Sequence, residues 1–344
     1  MGRIKSIDVF RLLAITFVIA IHTTPFVIRD GDNNQLYNFL SVFINQLARF
    51  AVPFFFIISG YFWAIKIKKK QSVLRPSFIM AKKIGIIFLF WSVIYLLPLN
   101  FSAFFEYGLL GPVKVAYWHI QDLLKNPILL IFEGTRVHLW FLMSLIYALF
   151  INALFIHFGR VKELILFSVV LYLFGLLAKA YAGTPIGILI DFNTRNGPFF
   201  STIFFTTGYV LSAFEAKAKW LWLGLAIFIL GCLSHFMEII ILWKFFNTAV
   251  SQDYVFGTYF MGLGIAMLAL SDHPIFSANR LAVLGRYTLG IYAIHMIYVI
   301  NFAKIDRVYS SVVWEIGLIF MVLFLSIFTV ILLARMSFMR KFLE

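Results

Sequence analysis

The sequence contains few charged residues and a single cysteine. Of its 344 residues, 13% are charged and 62% are hydrophobic, whereas an ordinary soluble domain is about 25% charged and about 45–50% apolar. An ordinary soluble domain is therefore excluded, and the composition predicts an all-α integral membrane protein. Because Cys232 stands alone, one chain cannot build a disulfide framework or a cysteine metal site.

Acidic residues are also scarce, with 15 against 29 basic ones. If the N-terminus lies in the cytoplasm, seventeen basic residues fall in inner segments and nine in outer ones, so the positive-inside rule places both termini in the cytoplasm. The positive charge then reflects orientation, and no nucleic-acid partner is expected. Apolar windows of about twenty residues predict about ten spans, near residues 7–28, 43–65, 84–101, 138–156, 162–180, 197–214, 219–243, 254–271, 281–302 and 312–334.

Several other features are absent. The chain shows no internal repeat, no linker and no H-x-x-x-H or H-E-x-x-H pair. Residues 1–344 are therefore predicted to form a single polytopic domain without a metal site. The C-terminal segment SFMRKFLE is interpreted as a short basic tail that leaves no room for an appended soluble domain.

The first span carries Asp8, Arg11 and His22 in an otherwise apolar run. An ionised side chain at membrane depth costs about 2.5–3.5 kcal/mol, so such residues tend to face a protein interior or a wet cavity. At 100° per residue, Arg11 and His22 share one helix face and lie about 16 Å apart along the axis. Alternatively, Arg11 extends to the inner surface and His22 is merely interfacial. Pro25 weakens the helix beside His22, because it cannot donate a backbone hydrogen bond.

These residues resemble a known family. The order Asp8, Arg11, ten residues, His22 is similar to the N-terminal signature of the membrane acyltransferase-3 family, whose members acylate surface glycans and related acceptors. Three further segments resemble its second, fourth and ninth spans: RFAVPFFFIISGYFW (49–63), HLWFL (138–142) and LGRYTLGIYAIH (284–295).

The resemblance implies an O-acyltransferase, in particular an O-acetyltransferase, in the bacterial inner membrane. Its donor would be cytoplasmic acetyl-CoA, as a substrate and not a bound cofactor, and its acceptor a surface polysaccharide or an undecaprenyl-linked sugar. Acyl transfer needs a general base and a cation near the thioester. Imidazole titrates near pH 6.5, so we expect His22 to be the base, Arg11 to position the donor and Asp8 to pair with Arg11. The predicted substrate-binding residues are Arg49, His138, Trp140 and His295.

The densest basic run lies between Lys66 and Lys83 and is predicted to be an inner loop. Arg75, Lys82 and Lys83 are predicted to bind the phosphates of coenzyme A, although the run also serves as an orientation signal that contacts anionic lipid. The family often shows R-x-x-R where this loop enters the third span. Here the corresponding residues are Met80, Ala81, Lys82 and Lys83. A lysine lacks the bidentate fork of arginine.

Other positions have more than one interpretation. Pro53 frees the carbonyl of Arg49, which indicates either a polar notch for substrate or a kinked helix whose arginine pairs with a carboxylate. Ser59 and Gly60 indicate a close helix contact. The long outer loop, residues 102–137, has the pattern of an interfacial or re-entrant helix.

His138, His295, His235 and Glu238 all fall on the outer side of the predicted topology, which suggests a cluster, and His295 is placed in the outer half of its span. Two other functions stay open. One is an exporter of polysaccharide or lipid-linked sugar, which inverted repeats would have favoured. The other is a scaffold with a polar core, which would not need His22.

Overall fold

The chain is helical throughout the part that the structure describes. The computed structural model describes residues 4–26, 35–214, 219–276, 279–308 and 311–343, and those ranges contain no strand. The all-α prediction is confirmed. The helices in chain order are α1 (Lys5–Thr23), α2 (Gln35–Leu47), α3 (Ala51–Lys70), α4 (Leu74–Ile94), α5 (Phe104–Tyr107), α6 (Gly111–Lys125), α7 (Leu129–Glu133), α8 (Trp140–His157), α9 (Val161–Leu177), α10 (Pro198–Leu211), α11 (Trp220–Phe246), α12 (Phe256–Leu270), α13 (Asn279–Gly285), α14 (Thr288–Val308), α15 (Val312–Leu333) and α16 (Ser337–Leu343). Short 3-10 turns occupy Ala48–Phe50, Phe101–Ala103, Val137–Leu139 and Pro274–Phe276.

Long apolar helices mark the protein as multi-pass. Within the described ranges, six helical segments are long and apolar enough to cross a membrane: Lys5–Thr23, Gln35–Lys70, Leu74–Ile94, Val137–His157, Trp220–Phe246 and Val312–Leu333. The other four predicted spans correspond to α9, α10, α12 and α14. α10 has 14 residues and is about 21 Å long, shorter than the hydrocarbon core of about 30 Å. The number of ten spans and the orientation of the termini therefore stay predictions.

α10 packs against α3, α8 and α9. A Cβ atom added to Gly208 would lie 1.9 Å from the carbonyl oxygen of Ile57, and one added to Gly60 would lie 2.1 Å from that of Phe205. The backbones of α3 and α10 can approach this closely only because both positions are glycine. The close helix contact predicted at Gly60 is confirmed.

The first helix contacts α13, α14, α15 and α3. A Cβ atom added to Gly285, at the end of α13, would lie 2.2 Å from the carbonyl oxygen of Asp8. The segment that follows α13 is thereby brought to the beginning of α1. This contact decides which residues meet near the beginning of α1.

The prediction of an inner loop over residues 66–83 is wrong in its extent. α3 continues to Lys70 and α4 begins at Leu74, so the connection is three residues long. Lysine is a good helix former, and its long side chain can reach the membrane surface while the helix continues. Arg75, Lys82 and Lys83 therefore lie on α4 and not on a loop.

α1 ends earlier than predicted. Thr24 adopts φ 45° and donates its backbone N–H to the Ala20 carbonyl at 3.2 Å, which closes the helix at Thr23. Pro25 thus lies beyond the helix, and His22 is in its last turn. Residues 27–28 of the predicted span lie outside the described residues, as do Arg3, Arg29 and Lys217, three of the basic residues counted for the orientation.

The second predicted span is longer than expected and is interrupted. It runs from Gln35 to Lys70, with a 3-10 turn at Ala48–Phe50 that contains Arg49. Pro53 follows in the first turn of α3 and cannot donate to the Arg49 carbonyl. The predicted break in regular helical hydrogen bonding near Arg49 is confirmed.

The segment predicted as a long outer loop and the C-terminal segment both contain helices. The helix predicted within residues 102–137 is α6, of which only Gly111 and Pro112 are buried. The segment predicted to be a short basic tail forms α16, which packs against α4. The Trp91 indole N–H donates to the Phe342 carbonyl at 3.2 Å, and the rings of Phe90 and Phe342 stack at 3.8 Å.

The orientation can be tested at the turn between α3 and α4. With Cys232 replaced by alanine, a cysteine at exposed Ser72 should react with a membrane-impermeant maleimide only after the cells are permeabilised. A cysteine at exposed Ser251, between α11 and α12, should react in intact cells and serves as the matched control. The opposite pattern would invert the topology.

Candidate functional site

A cavity of about 430 Å³ opens between α1, α3, α4, α8 and α14. Its walls are mostly apolar, with residues such as Val18, Phe55 and Phe141. Its arginine, lysine and histidine side chains form two groups. The basic group contains Arg11, Lys83 and Arg286, and the histidine group contains His22 and His138.

The two groups lie at different levels of the cavity. Arg11 and His22 are eleven residues apart on the uninterrupted α1, which is about 16 Å along its axis. Lys83 precedes Tyr95 by twelve residues, about 18 Å of helix, and the Tyr95 ring lies 5.1 Å from the ring of His138. Arg286 follows Gly285, which contacts the Asp8 backbone. The cations are therefore near the beginning of α1 and the histidines near its end.

Arg11 is fixed by its neighbour one turn earlier. Its Nη1–H donates to Asp8 Oδ1 at 3.0 Å, as expected from the sequence, and its guanidinium carbon lies 5.4 Å from the centre of the Phe62 ring. The Asp8 side chain is 5% exposed and that of Arg11 is 31% exposed. The carboxylate is thus inside the protein, while part of the guanidinium faces the cavity.

Three histidines from distant parts of the chain meet at the other level. The ring centres of His22 and His295 are 5.3 Å apart, those of His138 and His295 are also 5.3 Å apart, and those of His22 and His138 are 6.5 Å apart. His138 and His295 are fully buried, whereas His22 is half-buried. Within the described residues, no three His, Cys, Asp or Glu side chains are arranged to hold a metal ion.

The ring nitrogens of the two buried histidines have few partners. His295 Nδ1 lies 2.7 Å from the Tyr292 carbonyl; a carbonyl only accepts, so Nδ1 carries the proton and a neutral ring leaves Nε2 as an acceptor. That Nε2 and both ring nitrogens of His138 have no hydrogen-bond partner among the described residues. The Ala293 carbonyl, which lies near the His138 ring, accepts from the Tyr95 hydroxyl at 2.6 Å.

The other two members of the suggested cluster lie elsewhere. His235 Nδ1 and Nε2 are 3.0 Å from Thr258 Oγ1 and 3.1 Å from Gln46 Oε1. Glu238 accepts from the backbone N–H groups of Phe256 and Gly257 at 2.9 and 3.0 Å. Both residues tie α11 to the beginning of α12, so the cluster predicted from the topology keeps only His138 and His295. His295 is the eighth residue of α14 and its ring lies beside that of His22 in the last turn of α1, and its position in the outer half of the span stays a prediction.

Comparison with known proteins identifies the architecture. A family model described as an acyltransferase domain matches residues 4–335. The chain belongs to the membrane acyltransferase-3 family. The resemblance found in the motifs is therefore confirmed over nearly the whole chain.

Three curated relatives of this acyltransferase-3 chain are named as racemases. Two amino-acid racemases of Enterococcus faecalis are 29% identical over 89% of the chain and 31% identical over 60% of it. A serine/alanine racemase of Enterococcus gallinarum is 31% identical over 60% of the chain. These matches cover 42%, 28% and 29% of the relatives, so the chain spans less than half of their length. No solved structure matches.

The predicted donor-binding residues of this acyltransferase domain divide into two sets. Lys83 lines the cavity, whereas Lys82 and Arg75 are exposed on α4 and are not among the lining residues. Arg286, which the sequence analysis did not single out, lines the cavity with Lys83. An arginine inside the mostly apolar motif LGRYTLGIYAIH was a signal that could have identified it.

The predicted substrate-binding residues also divide. His138 and Trp140 line the cavity, and His295 lies against His22. Arg49 is not among the lining residues; its Nη1–H donates to Asp253 Oδ1 at 3.1 Å and its Nη2–H to Asn45 Oδ1 at 2.7 Å. Arg49 thus pairs with a carboxylate, as one of the two interpretations of the sequence expected, and its role in substrate binding stays a prediction.

Proposed function

We propose that this membrane acyltransferase moves an acyl group from cytoplasmic acetyl-CoA to a hydroxyl of a surface glycan or of its lipid-linked precursor. One observation supports this proposal most directly. A single cavity is lined by Arg11, Lys83 and Arg286 at one level and by His22 and His138 about three helical turns away. Cations suit the phosphates of coenzyme A, and imidazole suits proton transfer from a hydroxyl.

The reaction can be written for His22 as general base. The acceptor oxygen forms a bond to the thioester carbonyl carbon while the carbon–sulfur bond breaks. The hydroxyl proton passes to an imidazole nitrogen of His22 and then to the thiolate of coenzyme A. A covalent alternative, in which the acyl group first bonds to His22, uses the same residues and stays open.

The surroundings of His22 fit this role. Its half-buried ring reaches the cavity, while the fully buried rings of His138 and His295 lie beside it. A neutral His295 has an acceptor nitrogen with no partner among the described residues, so it can share a proton with a neighbouring imidazole. The walls around the reacting atoms are mostly apolar, and charge interactions are stronger beside apolar surroundings than in water.

The proposal is tested with purified protein reconstituted in liposomes. Radiolabelled acetyl-CoA is supplied on one side, and we expect label to appear in an added sugar acceptor and free coenzyme A to be released. Transport of a labelled sugar without acetyl transfer would instead support the exporter. Racemisation of serine or alanine, the activity in the names of the relatives, is measured in the same preparation and would contradict the proposal if it were the only activity.

Two adjacent lysines provide a matched pair for the donor site. Lys83→Gln should weaken coenzyme A binding by about tenfold, because a charge-assisted hydrogen bond contributes about 1.5–3 kcal/mol and Lys83 is partly screened by solvent. Lys82→Gln removes the same charge one position away, outside the cavity lining, and should leave the affinity unchanged. Isothermal titration calorimetry with coenzyme A measures both. Equal affinities for the two variants and the wild type would leave these lysines with a role in orientation alone.

A further inference from the structure

Three basic side chains converge on one carboxylate, that of Asp253. Arg49 Nη1 and Arg195 Nη1 lie 3.1 and 3.3 Å from Asp253 Oδ1, and Lys179 Nζ lies 3.2 Å from Asp253 Oδ2. We call these four residues the Asp253 cluster. The Arg49, Arg195 and Asp253 side chains are between 12% and 18% exposed, and Lys179 is 31% exposed. Both oxygens of the carboxylate are occupied.

The Asp253 cluster has more positive than negative charge. Three cations share one anion, and the Nε atoms of Arg49 and Arg195 are buried without a hydrogen-bond partner among the described residues. Nearby acids have other partners: Glu133 accepts from the Asn196 amide at 2.5 Å, and Glu238 accepts from the Tyr181 hydroxyl at 2.7 Å. Uncompensated charge is costly to bury, so an excess of cations of this kind is suited to an anion.

The Asp253 cluster adjoins the acyl-transfer cavity. The Arg195 guanidinium lies 5.0 Å from the centre of the Trp140 ring, and Trp140 lines the cavity together with His22. Arg195 is held in place by its neighbours: the Thr194 hydroxyl donates to the Gly175 carbonyl at 2.9 Å, and Asn196 binds Glu133. A ligand group beside Trp140 can therefore approach both Arg195 and the histidine level.

We propose that the Asp253 cluster recognises an anionic group, a phosphate or a carboxylate, on the acceptor of the acyl group. This inference rests on the proposed function and specifies the class of its second substrate. A guanidinium presents a planar fork of donors that matches both anions. The acceptor hydroxyl would then lie at His22 while the charged group lies at Arg195, with Trp140 between them.

Anion binding is measured first without acetyl-CoA, so that it does not depend on catalysis. The probes are inorganic pyrophosphate, D-glucuronate, and neutral D-glucose at matched ionic strength, and the readout is the thermal midpoint of detergent-purified protein. A ligand that binds the folded state raises the midpoint with concentration. We expect pyrophosphate or glucuronate, but not glucose, to raise it. Which of the two acts shows whether the group is a phosphate or a carboxylate.

Matched variants assign the effect to the cluster. Arg195→Gln should shift the anion concentration that gives half of the effect upward by at least tenfold, and Lys179→Gln, at the most exposed member, provides a second variant if Arg195→Gln does not fold. Lys244→Gln removes an exposed charge at the end of α11 and should behave as wild type. Equal responses of the cluster variants and Lys244→Gln, or no anion effect at all, would overturn the proposal.

A final comparison separates the acceptor from lipid and from the proposed function. In the transfer assay, methyl glucuronide should have at least a tenfold lower KM than methyl glucoside. Arg195→Gln should remove this preference, and Lys244→Gln should retain it. Stabilisation by phosphatidylglycerol vesicles, with no effect of either soluble anion, would make the cluster a lipid site and contradict the acceptor assignment. Anion binding without any acetyl transfer would contradict the proposed function and leave the anion site standing.

Discussion

Replacing His22 by alanine is expected to lower acyl transfer by about 10²- to 10⁴-fold, the usual contribution of a general base, while the protein stays folded. His22 is half-buried in the last turn of α1 and faces a cavity, so its removal takes away the base without opening a tightly packed core. The turnover of purified protein with radiolabelled acetyl-CoA measures the effect. Monodispersity of each variant shows that folding is retained.

Two further variants are compared with His22→Ala. His157→Ala removes an exposed histidine at the end of α8, outside the cavity, and should leave turnover unchanged. Arg11→Ala removes a cation about three turns from His22 and should act mainly on donor affinity, by about 1.5–3 kcal/mol. Wild-type turnover in folded His22→Ala would remove this histidine from the mechanism and favour transport.

The helix period made half of the site predictable. Because 3.6 residues form one turn, the sequence alone places Arg11 and His22 on one face of α1, and the short spacing from Asp8 to Arg11 predicts their ion pair. The cavity agrees with this, since both Arg11 and His22 line it. Local geometry of this kind depends on few residues and needs no knowledge of the fold.

Contacts between distant segments were not predictable in this way. His295 is 273 positions from His22, and Asp253 is 204 positions from Arg49, so helix packing decides which of them meet. The alternating direction of successive spans predicted His235 and His138 on the same side of the membrane. In the structure, however, His235 on α11 contacts Gln46. A shared side of the membrane therefore narrows the candidates for a site without identifying its members.

Hydropathy misplaced the start of α4 for a physical reason. Lysines lowered the average in the windows near residue 70, although they support a helix, so α4 was expected to begin near residue 84 and begins at Leu74. At the C-terminus, Phe338 and Phe342 are four residues apart and share a helix face. That spacing was a signal for α16, whose Phe342 packs against Phe90.

Removing the carboxylate of the Asp253 cluster should have the largest effect on stability. Burial raises the pKa of Asp253, but Arg195, Arg49 and Lys179 together lower it to about 2, so the group is ionised at neutral pH. Asp253→Ala would leave three cations with no anion, and breaking a buried ion pair on one side typically costs about 3–5 kcal/mol. We expect a clear decrease in the thermal midpoint of detergent-purified protein, accompanied by loss of acyl transfer.

An exposed ion pair in the same chain provides the control for Asp253→Ala. Asp122 pairs with Lys125 at 2.6 Å on α6, and both side chains are about 70% exposed, at 69% and 71%. Solvent screens such a pair and leaves it with little effect on stability, so Asp122→Ala should leave the thermal midpoint unchanged. Asp253→Asn keeps acceptor geometry for one cation and should fall between the wild type and Asp253→Ala. If Asp253→Ala were as stable as Asp122→Ala, the excess positive charge would not be buried, and the case for an anion at the Asp253 cluster would fail with it.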